Sequence, residues 1–403
     1  MLTKKIIILS FAFLLSCSSI VTNLNENSWA ESVIKKMTLR EKIAQMMVYR
    51  MNMHYVNFEN KDWKELIQLI ETDGIGIIHI WFGDVGSSLT TLNFLQQKSK
   101  LPILVEADIE SGLGRRYNGS VRLPPMMAIA ATGNSYYAYE AGRISAEESR
   151  AVGIHFNLAP VVDVNNNPKN PIINTRSFGE VPDSVQKYSK DFIKGLKDFG
   201  MLTTAKHFPG HGDTETDSHS ALAMIPSDSA RLWNIELPPF RYAIEAGVDA
   251  VMIAHVSAPD FQRHSEVPAS LSSFWIQDIL RKEMSFNGAV ITDAMGMGGI
   301  IKNYSDDYAI VETIKAGSDI IIQNDRLSHF IDVIEKAVLE NEIDEDQINQ
   351  SALKVLKMKE KIGLHKERLI NSYNTHRTVG KKDNFNVADE IASKSITLVK
   401  NTK

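Results

Sequence analysis

Short apolar, β-branched runs recur along the chain, and between them lie longer stretches whose apolar residues return every three or four positions. Eight such runs stand out, at residues 43–49, 74–80, 103–108, 156–164, 203–208, 250–256, 289–293 and 319–323. Most are continuous rather than alternating, as expected of strands buried on both faces. The intervening stretches at 135–152, 185–199 and 237–246 read as helices. Pro238 and Pro239 open the last of these and Gly247 follows it, which is the usual asymmetry of helix ends. Eight strand–helix units in succession predict an α/β fold, a (β/α)8 TIM-type barrel over residues 29–365. The alternative is a doubly wound open sheet, which is disfavoured because no glycine-rich phosphate fingerprint follows a strand.

Beyond the eighth run, residues 328–340 and 344–362 read as two further helices, the second ending at Gly363. Residues 366–384 are polar and read as an irregular linker. The stretch "VADEIASKSITLVKN" then reads as a helix followed by a strand, so that residues 385–403 resemble the start or remnant of a truncated second α/β domain. A lone strand there could not form a domain by itself.

Composition narrows the function classes. The 403 residues carry a formal net charge of -5, with 43% hydrophobic and 23% charged residues. No basic stripe is present, which argues against nucleic acid as a partner. Cys17 is the only cysteine, so the fold rests on its core rather than on disulfides. Lys4 and Lys5 precede an apolar run from Ile6 to Leu15 that is too short for a permanent span but suits a signal segment. Its ending in Leu14-Leu15-Ser16-Cys17 resembles a bacterial lipobox. Residues 1–17 are therefore expected to be a lipoprotein signal peptide with Cys17 as the lipidated residue, and 18–28 a polar tether. A lipid-anchored protein of the bacterial cell envelope follows; an ordinary signal peptide with an incidental cysteine is the alternative.

In an α/β barrel the chemistry gathers at the C-terminal strand ends. The third run ends at Asp108 with Glu110 just beyond, and the fourth near Asp163, followed by Arg176. The fifth ends in Lys206-His207, the sixth near His255, and the seventh in Thr292-Asp293. One such residue alone is more often a cap or turn residue; so many at one rim predict a catalytic site. The fifth run feeds "KHFPGHGDTETDSH", residues 206–219. His207, His211, Asp217 and His219 have the composition of a metal site. However, Phe208-Pro209-Gly210 will not continue the helix that would align them, so no metal or other cofactor is expected.

The stretches "KHFPGHGDTETDSH", "NPIINTRSFG", "AVITDAMGM" and "GVDAVMIAHV" resemble glycoside hydrolase family 3, within it the bacterial β-N-acetylglucosaminidases, over residues 29–363. The resemblance implies Asp293 as nucleophile, His219 as general acid/base with Asp217 as its dyad partner, and Asp108, Arg176, Lys206 and His207 as sugar-binding residues. His255 either touches substrate or satisfies a rim carbonyl. His211 is read as bracing the loop. Many relatives carry E-G-G-R after the strand-three aspartate, whereas here Glu110-Ser111-Gly112-Leu113-Gly114-Arg115-Arg116 leaves the roles of Glu110 and Arg115 open. The implied reaction is retaining hydrolysis of terminal β-GlcNAc from peptidoglycan fragments or chitooligosaccharides, by a monomer. A β-glucosidase or β-xylosidase of the same family, and a catalytically silent sugar-binding lipoprotein, are the alternatives. The glycines around His211 further predict a loop that moves when no sugar is bound, with its tip away from Asp293.

Overall fold

The computed structural model describes residues 28–226, 228–262, 265–323 and 325–401. Cys17 and the signal segment lie outside the described residues. Eight parallel strands form the centre: β1 (Met47–Met53), β2 (Ile77–Asp84), β3 (Leu104–Ala107), β4 (Phe156–Asn157), β5 (Leu202–Phe208), β6 (Ala250–Ile253), β7 (Ala289–Thr292) and β8 (Ile321–Gln323). They pair in sequence order, and β8 pairs back onto β1 in the register Met47–Ile321. A bridge between Ile291 and Ile320 closes the ring between β7 and β8. A helix follows each strand, so the (β/α)8 expectation holds.

Several run boundaries differ from the sequence reading. Residues 43–46 are the last turn of helix Leu39–Met46, not strand. Thr38 and Glu41 close a capping box that starts this helix, and its apolar end flows directly into β1. The fourth run pairs regularly only at Phe156–Asn157; the chain continues extended past a cis Ala159–Pro160 bond, with Val161 bridged to Lys206.

Val48, Ile77, Leu104, Phe156, Leu202 and Ile291 fill the barrel interior. Burying such a side chain contributes about 1.5–3 kcal/mol. Val355 and Met358 from helix Glu345–Lys361, with Leu364, join this cluster and close the barrel floor. Asp319, at the start of the eighth run, bonds both the helix and its own sheet: Lys354 Nζ lies 2.9 Å from Oδ1, and the Val290 N–H donates to Oδ2 at 2.9 Å. Sealing this end leaves the C-terminal strand ends as the open face.

The stretch read as an irregular linker holds helix Ser372–Thr378, and a second helix, Lys382–Lys394, begins inside it. Both are docked on the barrel. Ala388 and Ile391 enter the main core, Gly380 N–H donates to Glu148 at 2.8 Å, and Tyr137 Oη donates to Glu390 at 2.6 Å. The strand expected in "SITLVKN" is not formed: residues 396–401 have no regular structure, and Ile396, Leu398 and Val399 are exposed. A strand needs a neighbour for its N–H and C=O groups, and among the described residues none lies beside it.

Candidate active site

The open face encloses a cavity of about 550 Å³. Its floor is a buried charge network contributed by several strand ends. Lys206 Nζ, at the end of β5, lies 2.7 Å from Asp108 Oδ1 and 2.8 Å from Glu110 Oε1. Arg176, from the loop after β4, forks onto Glu110 at 3.0 and 2.8 Å. Arg116 donates to Asp108 Oδ2 at 3.2 Å. Burial alone would raise both carboxyl pKa values. The Lys206 charge overrides this at Asp108, and the Arg176 and Lys206 charges at Glu110, holding both well below the usual carboxylate range. Burial would likewise lower the Lys206 ammonium, but Asp108 and Glu110 raise it. The floor is thus a fixed array of charged donors and acceptors, suited to reading hydroxyl groups.

These contacts sort out the altered motif after strand three. Glu110, whose role the sequence left open, is a central member of the network. Arg116, not Arg115, bonds the strand-three aspartate; Arg115 lines the cavity but is exposed. The sequence reading also missed Arg50, His79 and Trp81, which line the same cavity. For Arg50 and Trp81 the missed signal was positional: the first two runs were ended at Tyr49 and Ile80, whereas β1 and β2 continue to Met53 and Asp84; His79 stood inside the second run as a single polar residue among apolar ones.

His207 is set by its neighbours. Its Nδ1 lies 2.7 Å from Asp163 Oδ2 and its Nε2 3.3 Å from Arg176 Nη2. Donation from Nδ1 to Asp163 leaves Nε2 to accept from Arg176. Of the two readings left open for His255, its contacts favour the rim. Its Nδ1 engages Ser270 Oγ at 2.7 Å and its Nε2 the Ala294 carbonyl at 3.0 Å, and the ring is fully buried. Both nitrogens are used internally, so it satisfies the rim rather than a sugar.

Asp293 follows β7 and lines the cavity, its Oδ1 accepting from the Ala294 N–H at 2.8 Å. Burial would push its carboxyl up; His207, His255 and that N–H outweigh it and hold the pKa below the usual range. The group is a carboxylate at neutral pH.

The loop from His207 to His219 is anchored at several points. Gly212 passes so close to Val164 that a Cβ would fall 1.8 Å from its carbonyl oxygen, which only glycine tolerates. The His211 N–H donates to Asp163 at 2.7 Å. The His211 ring spans Thr214 Oγ1 at 2.6 Å and Ser218 Oγ at 2.8 Å, and burial lowers its pKa to about 4. It is a neutral brace. At the tip, His219 Nδ1 lies 2.7 Å from Asp217 Oδ1, both side chains partly exposed. Burial would raise the Asp217 carboxyl, but the backbone N–H and ring of His219 lower it. His219 and Asp293 line one cavity, and Gly298 and Gly299 N–H donate to the His219 and Ser218 carbonyls, each at 3.0 Å.

Comparison with known proteins places this arrangement. Residues 38–358 match the glycosyl hydrolase family 3 N terminal domain. A β-N-acetylglucosaminidase/β-glucosidase of Cellulomonas fimi is 27% identical over 385 residues; the alignment covers 93% of this chain but only 66% of that protein's length. A β-hexosaminidase of Vibrio cholerae is 31% identical over 319 residues, covering 77% of this chain and 94% of the relative. A solved family 3 β-N-acetylglucosaminidase from Paenibacillus superposes with a TM-score of 0.82 at 34% identity, over 91% of this chain and 70% of that one. With the barrel, the strand-end network and the matched span in agreement, the chain belongs to glycosyl hydrolase family 3.

Proposed function

We propose that this chain is a retaining exo-β-N-acetylglucosaminidase that releases terminal non-reducing β-GlcNAc from peptidoglycan fragments or chitooligosaccharides. The observation that carries the reading is the Asp217–His219 pair at 2.7 Å, on a loop tip that lines the same cavity as the ionised Asp293. Asp293 attacks the anomeric carbon as the glycosidic bond breaks, giving a glycosyl ester. With Nδ1 held by Asp217, His219 Nε2 gives a proton to the leaving oxygen. The ring later takes one back from the water that opens the ester. Asp108, Glu110, Arg176 and Lys206 hold the hydroxyls of the terminal sugar. The activities for which the Vibrio and Paenibacillus relatives are named support the acetamido sugar.

The name of the Cellulomonas relative also includes β-glucosidase, so a plain glucoside is the second reading. The test is release of an aryl leaving group from acetamido and plain β-glucosides side by side. Faster release from the plain glucoside would sink the acetamido assignment, and no release from either, with sugar still bound, would favour a silent binding protein. We further infer that the chain is lipidated at Cys17 and held in the bacterial envelope; movement of Cys17→Ser from the membrane to the soluble fraction is the check.

A further inference from the structure

The cavity holds more positive charge than its chemistry uses. Leaving histidines aside, Arg50, Arg115, Arg116, Arg176 and Lys206 face three carboxylates, Asp108, Glu110 and Asp293. Lys206, Arg176 and Arg116 are spoken for by Asp108 and Glu110. The Arg50 and Arg115 side chains have no carboxylate partner among the described residues. Arg50 projects from β1, and its guanidinium sits 4.2 Å from the centre of the Trp81 ring. Arg116 sits 4.3 Å from the same ring. A ring face steadies a cation but neutralises none of its charge, and two guanidiniums flanking one ring repel each other. An anion entering this cavity would offset that repulsion and could gain charge-assisted, bidentate bonds from the Arg50 and Arg115 guanidiniums.

We propose that Arg50 and Arg115, with Trp81 as platform, form a subsite for a carboxylate or phosphate carried by the sugar substrate. The inference rests on the glycosidase reading and deepens it. Its location favours a charge on the terminal sugar. β1 lies across the ring from β5, and the His219 tip that serves the leaving group comes from the β5 loop and is bonded to the segment after β7. Arg50 therefore stands on the wall away from the scissile bond.

The test is calorimetric binding to the full chain carrying Asp293→Asn, which separates binding from turnover. Three ligands are compared: N-acetylglucosamine, its 6-phosphate, and a disaccharide in which a neutral N-acetylglucosamine is linked to a leaving sugar bearing a carboxylate. An anionic ligand is expected to bind about tenfold or more tightly than N-acetylglucosamine, with the advantage shrinking as salt is added. The advantage should disappear in Arg50→Gln and weaken in Arg115→Gln, both checked for an unchanged melting temperature. A gain confined to the 6-phosphate assigns the charge to the terminal sugar, and one confined to the disaccharide assigns it to the leaving sugar. Equal or tighter binding of the neutral sugar, or an advantage that survives both substitutions, overturns the proposal. Failure of the unsubstituted chain to cleave any neutral aryl glycoside would instead count against the glycosidase reading and leave this comparison standing.

Discussion

The Gly298 N–H donates to the carbonyl of His219 at 3.0 Å, so the segment that follows Asp293 holds the tip that carries the acid/base pair. The two halves of the proposed reaction, on loops after β7 and β5, are thereby fixed to each other by backbone rather than by substrate. A Cβ at position 298 would lie 2.5 Å from the Ser220 carbonyl oxygen and 2.8 Å from that of His219. Gly298→Ala is therefore expected to displace the tip and lower kcat about 10- to 100-fold. The melting temperature should hardly change, because the tip is peripheral to the core. Unchanged kcat would show that the tip does not depend on this contact.

Asp293→Asn keeps the shape of the site but removes the nucleophile. Turnover of an aryl β-N-acetylglucosaminide should fall by about 10³-fold or more while sugar binding persists. His219→Gln and Asp217→Asn should each lose about 10²-fold, the size of a general acid/base contribution. The double variant should lose little more than the worse single, because the pair acts as one device. Additive losses would argue that Asp217 works apart from the His219 ring.

Lys206 is 2% exposed between two carboxylates. Lys206→Met leaves Asp108 and Glu110 with less compensation in a buried floor. Removing one partner of a buried pair costs about 3–5 kcal/mol, so a large drop in unfolding free energy by chemical denaturation is expected alongside loss of sugar binding. A loss of stability under about 1 kcal/mol would mean that water or the two arginines replace the ammonium.

How far the sequence reached follows from these residues. Eight apolar runs were enough for the barrel, because strands buried on both faces advertise themselves by composition alone. Asp108, Arg176, Lys206, His207, His219 and Asp293 were legible because each stands at a strand end or in a dense polar loop, and all six line the cavity. Arg50 and Trp81 were not, since an apolar run cannot show where it ends when polar side chains facing the cavity interrupt its last turns. Arg116 was hidden beside Arg115, because two adjacent arginines in a loop differ only in the direction they face. The docked tail was missed for a related reason: helices Ser372–Thr378 and Lys382–Lys394 bury few residues, among them Thr375, Ala388 and Ile391, so their hydrophobic pattern is faint.

That tail makes its own prediction. Ile391 is fully buried against the barrel, and Thr375 Oγ1 donates to the Ala151 carbonyl at 2.6 Å. Removing residues 366–403 exposes this seam on helix Tyr136–Ala151. The melting temperature should fall by about 5 °C or more, with the pH profile of turnover unchanged. An unaltered melting temperature would show that the tail rests on the barrel without supporting it.

Glu236 supplies the pH test of stability. It is 1% exposed beneath the catalytic loop, where Gly210 takes a φ of +131° and leaves no room for a Cβ. Burial pushes its carboxyl up to about 7, against the pull of Arg231, which also bonds Asp213 in the same loop at 3.0 Å. The ordinary value in the unfolded chain is lower, 4.5. A carboxyl with a raised folded-state pKa binds more protons folded than unfolded between those two values. Its contribution is full below the lower one and is lost as the pH climbs through the higher. The chain should therefore lose stability as the pH climbs from about 4.5 to about 7, and lose no more from this group above that. Glu236→Gln, which mimics the protonated form, should flatten that slope. A slope identical in both proteins would place the pH dependence elsewhere and leave Glu236 ionised through Arg231.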